Sequence, residues 1–359
     1  MRGGSTTVGS PSAGARFMLK EIREAPSAAA RLLEREGARI RTLGARLRRR
    51  RPAGILMAAR GSSDNAALYG KYLLETRLGV PVTLAAPSII TLLGGRLRLR
   101  RYVAVGISQS GQSTDIVAFL EAARARGALT VAITNQPRSS LARVAHEVVL
   151  THAGDERSVA ATKTYLNQLI AFTMLGAEWA GDRRLSRDAA AIPEAQRAVL
   201  AQDGDIAGIA ERYRYMRECI VAARGYDFAT AKELALKLME TCYVVALPLS
   251  SADLLHGPIA LVEPDFPVFL IASPGPVLAH LADVASRLRA RRAETVIFSS
   301  EETVLRLASV PIRVAARAEG ALAPPIYGVA IQLLACHLSQ AKGIDPDHPR
   351  GLRKVTRTL

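Results

Sequence analysis

The sequence predicts an α/β protein made of two doubly wound parallel sheets that are related by an internal duplication. Short apolar runs alternate with amphipathic segments along most of the 359 residues, a pattern typical of parallel sheets covered by helices. The chain also repeats itself, because Ala58-Ala59-Arg60-Gly61 recurs as Ala222-Ala223-Arg224-Gly225. Each copy follows an apolar run and precedes a helical pattern. Two copies of one domain account for both observations.

Helices are predicted ahead of the first sheet. Residues 1–16 are rich in glycine, serine and threonine and are expected to form a disordered leader. Residues 17–50 predict helices, because apolar residues recur there at helical spacing. Ser27 is the predicted N-terminal cap of a helix over 28–50.

The first domain is predicted over residues 51–180. Helices are expected over 66–75 and from Thr114 onward. The strand candidates are five apolar runs bounded by turn signals: 54–59, 80–84, 102–107, 129–134 and 147–150.

The second domain is predicted over residues 217–345. Its runs 267–272 and 294–299 repeat the third and fourth strands of the first domain at nearly the same offset as the Ala-Ala-Arg-Gly repeat. Residues 181–216 interrupt the pattern and are predicted to be a linking helix. A basic C-terminal tail follows over 346–359.

Composition and charge narrow the classes of protein. A hydrophobic content of 49% excludes a disordered chain. The net charge of +16 favours an anionic ligand. Aromatic residues make up only 5% and no nucleic-acid-binding motif is present, so no nucleic-acid partner is expected. Neither a signal peptide nor a run of about eighteen apolar residues is present, which predicts a cytoplasmic protein without a membrane partner. Three scattered thiols without metal-ligand spacing predict no metal site: Cys219, Cys242 and Cys336.

The turn after the third strand is the strongest candidate for ligand binding. It reads Ser108-Gln109-Ser110-Gly111-Gln112-Ser113 and opens a helix. Hydroxyls and backbone N–H groups that converge at a helix N-terminus suit a phosphate dianion. A polar, well-capped turn without a ligand is the alternative interpretation.

The second copy carries different chemistry. Its equivalent turn, Ala272-Ser273-Pro274-Gly275-Pro276, has lost most donors, since proline has no N–H. Asp227 is the predicted cap of a helix over 228–243, on which Glu233, Lys237 and Glu240 share one face. A solvated ion-pair stripe is the alternative interpretation of that spacing. His256 stands alone before Gly-Pro, and a structural histidine is the alternative interpretation.

Five motifs in order give the chain a resemblance to a known family. They are the Ser-Gln-Ser-Gly turn, Val159-Ala160-Ala161-Thr162-Lys163, Leu236-Lys237-Leu238-Met239-Glu240, Leu255-His256-Gly257-Pro258, and the Asp-x-Pro-Arg-x-Leu-x-Lys tail. The chain resembles the isomerase half of glucosamine-6-phosphate synthase and the stand-alone amino-sugar-phosphate deaminases and isomerases of the SIS-domain (sugar isomerase) family. The resemblance covers about residues 20–359 and implies two flavodoxin-like SIS domains.

The resemblance also implies a role for each matching residue. Glu240 would move a proton between carbons 1 and 2 of the open-chain sugar, with Lys237 supporting it or the enediolamine oxygen. His256 would help to open the ring, entering the site from the partner subunit of a homodimer. Lys354 would close the tail over the site and can form a Schiff base with the ketose. Neither a metal nor another cofactor is implied. The residues expected to bind the sugar phosphate or line its pocket are Ser63, Ser108, Gln109, Ser110, Ser113, Val159 and Ala161.

The expected activity is conversion of glucosamine 6-phosphate to fructose 6-phosphate and ammonia. The family's synthase has an N-terminal glutaminase domain with a cysteine nucleophile, whereas this chain has no cysteine before Cys219. Glutamine-dependent synthesis by this polypeptide alone is therefore not expected. The alternatives are another aldose–ketose isomerase or deglycase, and an isomerase component of glucosamine 6-phosphate synthesis. A sugar-phosphate-binding regulator is disfavoured because the acid/base residues are present.

Overall fold

Residues 16–354 are described by a computed structural model of the chain. The predicted leader, apart from Arg16, and the last five residues of the predicted tail lie outside the described residues. Two helices precede the first sheet, α1 (Met18–Arg23) and α2 (Ala25–Arg50). Ser27 is not the cap of α2, because the helix already begins at Ala25 and the Ser27 hydroxyl donates to the Glu24 carbonyl at 2.8 Å.

The first domain contains a sheet of five parallel strands in the order β2-β1-β3-β4-β5. The strands are β1 (Gly54–Ala58), β2 (Val82–Leu84), β3 (Tyr102–Ile107), β4 (Leu129–Thr134) and β5 (Glu147–Leu150). The helices of this domain are α3 (Ser62–Leu78), α4 (Ser88–Thr91), α5 (Thr114–Ala125), α6 (Ser140–Val144) and α7 (Lys163–Ala180).

A linking segment follows, and it is not the single helix that the sequence predicts. It consists of three short helices and a 3-10 turn at Ala189–Ala191, because the helix is interrupted next to Pro193 and again at residues 201–202. The three helices are α8 (Arg183–Asp188), α9 (Ile192–Leu200) and α10 (Asp203–Arg212).

The second domain repeats the architecture of the first. Its five parallel strands have the order β10-β9-β8-β6-β7, which is the first sheet's order read from the other edge. The strands are β6 (Glu218–Ala223), β7 (Val245–Ser250), β8 (Pro267–Ile271), β9 (Glu294–Ser299) and β10 (Val310–Arg313). The helices are α11 (Asp227–Cys242), α12 (Ser251–Leu255), α13 (Leu278–Ala290), α14 (Glu302–Leu305) and α15 (Ala323–Ala341). The tandem doubly wound α/β fold is confirmed.

The core is built around α7 and α15, two helices that the sequence analysis did not identify. Almost every residue of both is buried. The segment Gly320–Ala341 is long and apolar enough to cross a membrane by composition alone. Of its apolar 18-residue window, 89% is buried inside the fold, so core packing accounts for its character. Gly70 lets α3 approach α7, since a Cβ there would lie 2.7 Å from the ring of Phe172.

The two domains meet where α3 packs against α11. These are equivalent helices of the repeat, each following the first strand of its sheet. The contact places the carboxyl ends of β1 and β3 beside the α11 side chains. Ligands of open α/β sheets bind at such carboxyl ends, so the contact determines where the candidate site forms.

Candidate active site

A cavity of about 340 Å³ lies at the carboxyl ends of β1 and β3. Nine of the eleven residues singled out from the sequence line it: Ser63, Ser108, Gln109, Ser110, Ser113, Val159, Ala161, Glu240 and Lys354. Residues from both domains and from the C-terminal tail therefore meet at one point. Six lining residues were not predicted: Arg60, Gly61, Ser62, Glu156, Leu352 and Arg353.

Two helix N-termini provide the hydroxyl-rich wall of the cavity. Helix α3 starts at Ser62 and α5 at Thr114, and the segments around both starts line the space. Gly111 has a φ of +62°, and a Cβ there would lie 2.2 Å from the Ser139 hydroxyl, so the turn requires glycine. The Gly111 N–H donates to the Ser108 hydroxyl at 3.1 Å. Converging helix dipoles and hydroxyls favour an anion here.

Cationic side chains add to that preference. Arg60, Arg353 and Lys354 all line the cavity. The Arg60 guanidinium donates from Nε to the Asp115 carboxylate at 2.7 Å. Asp115 is buried, so it holds the Arg60 head group without occupying the cavity itself. A ligand with a phosphate group matches both the hydroxyl wall and the surrounding positive charge.

A buried ion-pair cluster on α11 carries the candidate acid/base residue. Lys237 is completely buried, and its Nζ lies 2.6 Å from Glu240 Oε2 and 3.6 Å from Glu233 Oε1. These residues therefore do not form the solvated ion-pair stripe that was the alternative interpretation of their spacing. Burial lowers the pKa of Lys237, but the two carboxylates outweigh it and hold that pKa above its usual value. Glu240 is the member that reaches the cavity, while Glu233 points into the domain contact.

Glu233 joins α11 to the first domain. Its Oε1 accepts from the Ser62 hydroxyl at 2.9 Å and its Oε2 from the Asn65 amide at 2.8 Å. Burial raises the pKa of Glu233, and the nearby Lys237 opposes the rise. Because Ser62 opens α3 and also lines the cavity, these bonds fix Glu240 relative to the hydroxyl wall.

The tail residue Lys354 is anchored at the mouth of the cavity. Its Nζ donates to Glu156 Oε2 at 2.6 Å and to the Ser158 carbonyl at 2.7 Å. Glu156 Oε1 in turn accepts from the backbone N–H groups of Thr162 and Thr164, both at 3.0 Å. Burial alone would raise the pKa of Glu156, but Lys354 and these N–H groups keep it below the usual range. The described part of the tail therefore lies at the cavity, with Lys354 held by these two hydrogen bonds.

Residues 50–177 and 215–341 each match the family model described as the SIS domain. The chain belongs to the SIS-domain family.

Among the relatives of this SIS-domain protein is the glutamine–fructose-6-phosphate aminotransferase (isomerizing) of Methanothermobacter thermautotrophicus. It is 35% identical over 302 residues, which cover 84% of this chain and 51% of that protein. The chain spans about half the length of the curated relatives that it matches.

Solved structures agree with this assignment. A protein of Silicibacter pomeroyi DSS-3, provisionally described as a phosphosugar isomerase, is 37% identical with a TM-score of 0.80, covering 92% of this chain and 99% of that one. The C-terminal domain of glucosamine-fructose-6-phosphate aminotransferase from Francisella tularensis is 26% identical with a TM-score of 0.84, covering 96% and 100%.

Two of the predicted site residues do not line the cavity. His256 follows α12 and is exposed, and its entry into the cavity of a partner subunit stays a prediction. Lys237 does not line the cavity either, and it touches the site only through Glu240.

The equivalent turn of the second SIS domain is filled by a side chain of the protein itself. Asp227 is not the N-terminal cap predicted from the sequence, because it belongs to the first turn of α11 and its Oδ2 accepts from the Ser273 backbone and hydroxyl groups. Burial raises the pKa of Asp227 to about 6. A carboxylate thus lies at the turn that corresponds to the open Ser108 turn of the first domain, and the loss of phosphate binding there stays a prediction.

Among residues 16–354, no group of three or more histidine, cysteine, aspartate or glutamate side chains is arranged to hold a metal ion. The three cysteines are buried and unpaired. Of the residues that the sequence analysis missed, Glu156 had a usable signal, because it stands three positions before the Val159 motif. Ser62 also had a usable signal, because it directly follows the first copy of the repeated Ala-Ala-Arg-Gly segment.

Proposed function

We propose that this chain interconverts fructose 6-phosphate and glucosamine 6-phosphate, with ammonia as the nitrogen source or product. One observation carries the proposal. The Glu240 carboxylate, paired with a buried lysine, lines the same cavity as a hydroxyl wall suited to a phosphate dianion. A sugar held by its phosphate at the Ser108 turn can present its other end to Glu240.

In the proposed reaction, Glu240 moves one proton from C1 to C2 of the sugar. In the synthetic direction ammonia adds to the C2 carbonyl of the open-chain ketose and water leaves, which gives an imine. Glu240 takes a proton from C1, and the C–H electron pair forms the C1–C2 double bond while the imine nitrogen gains a proton. Glu240 then returns its proton to C2, and the C1 hydroxyl loses its proton to give the aldehyde. A single carboxylate that reaches both carbons suffices for this shuttle.

The cations around the cavity would stabilise the charges that develop during this transfer. Lys237 stabilises the carboxylate form of Glu240 before it takes the C1 proton and again after it has returned that proton to C2. Lys354 lies where it can contact the oxygen at C1 or C2 or react with the ketose carbonyl, and the tail that carries it covers the cavity from water.

The direction of the reaction separates two candidates of the sequence analysis. Deamination, favoured there, and ammonia-dependent synthesis are the same chemical steps in opposite directions. The matched relatives named as aminotransferases favour the synthetic role over the deaminase role. We therefore propose an isomerase component of glucosamine 6-phosphate synthesis, with deamination as its reverse reaction.

We further propose that a second copy of the chain brings His256 to the cavity. His256 follows α12, directly after the edge strand β7. That strand exposes Val245 and Leu247, with 71% and 39% of each residue accessible. Apolar side chains on an edge strand are typical of a covered surface. A homodimer through this surface would deliver the histidine as a ring-opening acid or base.

An assay in both directions tests the proposal. Purified chain is incubated with fructose 6-phosphate and ammonium, and separately with glucosamine 6-phosphate, while glucosamine 6-phosphate, fructose 6-phosphate, glucose 6-phosphate and ammonia are quantified. Conversion by the wild type and its loss in Glu240→Gln are expected, with sugar-phosphate binding retained in the variant. Conversion of fructose 6-phosphate to glucose 6-phosphate without nitrogen exchange would instead identify a plain aldose–ketose isomerase. Binding without any conversion would refute the enzymatic proposal.

A further inference from the structure

The first helix of the described residues, α1, lies between the C-terminal tail and the loop that receives Lys354. Asp347, in the tail, accepts from the backbone N–H groups of Phe17 at 2.8 Å and Met18 at 2.7 Å. These are donors at the start of α1 that have no partner within the helix. The tail is therefore tied to α1 at a point seven residues before Lys354.

On its other side, α1 is tied to the Lys354 loop by Glu21. The Glu21 carboxylate accepts from the backbone N–H groups of Arg157 and Ser158, the latter at 3.3 Å to Oε2. The loop's carbonyl at Ser158 and the Glu156 carboxylate are the two acceptors of Lys354. Tail, helix, loop and lysine thus form a closed chain of contacts at the edge of the cavity.

Stability alone does not account for a carboxylate at this position. Glu21 is 4% exposed, and its pKa is raised to about 6: burial and the nearby Glu156 raise it, whereas the bond from the Arg157 N–H, Lys163 and Lys354 lower it. A glutamine would fill the same space without the energetic penalty of a buried charge. An ionised carboxylate has two acceptor oxygens, which can bind two consecutive N–H groups. Hydrogen bonds to a charged acceptor are also stronger than those to a neutral amide oxygen.

We propose that Glu21 is a positioning residue that fixes the loop at Arg157 and Ser158, and through it the position of Lys354 over the cavity. The effect on the tail requires only the contacts described above. Its consequence for turnover rests on the proposed function. A buried acid with a purely structural role would instead stabilise the whole domain without a specific effect on the tail.

Hydrogen–deuterium exchange tests the proposal without depending on turnover. Wild type, Glu21→Gln and Glu21→Ala are compared at pH 7.5, with Glu34→Gln as the matched control because Glu34 is an exposed glutamate on the neighbouring helix α2. We expect exchange in residues 344–354 to rise about tenfold in Glu21→Ala, and by a smaller factor in Glu21→Gln, while the melting temperature of Glu21→Gln does not fall. Exchange in the sheets and in Glu34→Gln should match the wild type.

Two results would overturn the proposal. One is tail exchange in both Glu21 variants equal to that of wild type. The other is exchange that rises throughout the first domain together with a fall in melting temperature, the sign of a structural acid. If the proposed reaction is observed, kcat should fall in Glu21→Ala with a smaller change in KM, and Glu21→Gln should recover part of it. A chain that shows the exchange effect but no turnover would refute the proposed function and leave the positioning role supported.

Discussion

Replacing Lys237 with methionine tests whether the buried cluster on α11 is held in its ionised form. Methionine keeps the length and most of the volume of the lysine side chain but removes the charge. In the wild type, Nζ lies 2.6 Å from Glu240 and 3.6 Å from Glu233, and both Lys237 and Glu233 are completely buried. The variant leaves Glu233 without a cation inside the domain contact.

The structure gives the size of the expected effect. At an effective dielectric constant of about 20, attraction across the distance between Lys237 and Glu233 amounts to about 4–5 kcal/mol. Removing one partner of a buried ion pair typically lowers the free energy of unfolding by about 3–5 kcal/mol. Loss of Lys237 also raises the pKa of Glu233 further above its unfolded value, so the folded variant takes up a proton. Its stability deficit should therefore be small near pH 4 and grow as pH rises.

A second substitution separates stability from catalysis. Glu233→Gln in the Lys237→Met background removes the uncompensated charge, and the amide can still bond to Ser62 and Asn65. Thermal unfolding should show that the double variant regains most of the lost stability, whereas kcat stays low because Glu240 still lacks its cation. Lys232→Met, on the same helix but only half-buried, serves as the control and should change stability by less than about 1 kcal/mol. Equal stability of the single and double variants, or recovery of kcat in the double variant, would refute the reasoning.

Three further perturbations follow from the same geometry. Lys354→Ala removes the cation that lowers the pKa of Glu156. The variant should therefore lack the stability that the Lys354–Glu156 pair contributes at pH values above the pKa of Glu156 in the unfolded chain. Melting curves of wild type and variant should differ most near pH 7 and converge as pH falls through the folded pKa of Glu156. Asp227→Asn should stabilise the chain by up to about 3 kcal/mol at pH 7.5. Folding raises the pKa of Asp227 from 3.8 to about 6, so ionisation of this buried carboxyl lowers the stability of the wild type as pH rises from about 4 to 6. The amide of asparagine does not ionise. Denaturation at pH 7.5 and pH 4 checks this, since the gain should shrink at the lower pH. Ser108→Ala should raise the Kd for a sugar phosphate about tenfold in titration calorimetry while kcat changes less than about threefold.

The sheet architecture could be predicted because strands that are buried on both faces read as short apolar runs between turn signals. Strands β3, β4, β5 and β9 have the predicted bounds, and β1 differs by one residue. The central helices α7 and α15 could not be found in the same way. They are buried on nearly all sides, so their sequences lack the 3.6-residue alternation of polar and apolar positions by which surface helices are identified.

The candidate site was predictable where residue type alone suggests chemistry, as in the hydroxyl-rich turn at Ser108 and the acid/base candidate Glu240. Glu21, Glu156 and Glu233 were not assigned to it, because a glutamate in a helix or loop normally faces solvent. Their importance depends on burial and on partners more than 100 residues away along the chain. Such contacts exist only once the domains have packed together.

Divergence after the duplication explains why only the first of two similar domains has an open, hydroxyl-rich turn at the site. Two positions after the repeated Arg-Gly, the first copy has Ser63, which lines the cavity, and the second has Asp227, whose carboxylate binds Ser273. The equivalent turn of the second domain is therefore occupied by an anionic side chain of the protein itself. This leaves the equivalent helices free to specialise, so that α3 contributes hydroxyls through Ser62 and α11 contributes Glu240. Because Glu233 joins the two helices, Glu240 keeps a fixed position relative to the hydroxyl-rich turn at Ser108 even though the two belong to different domains.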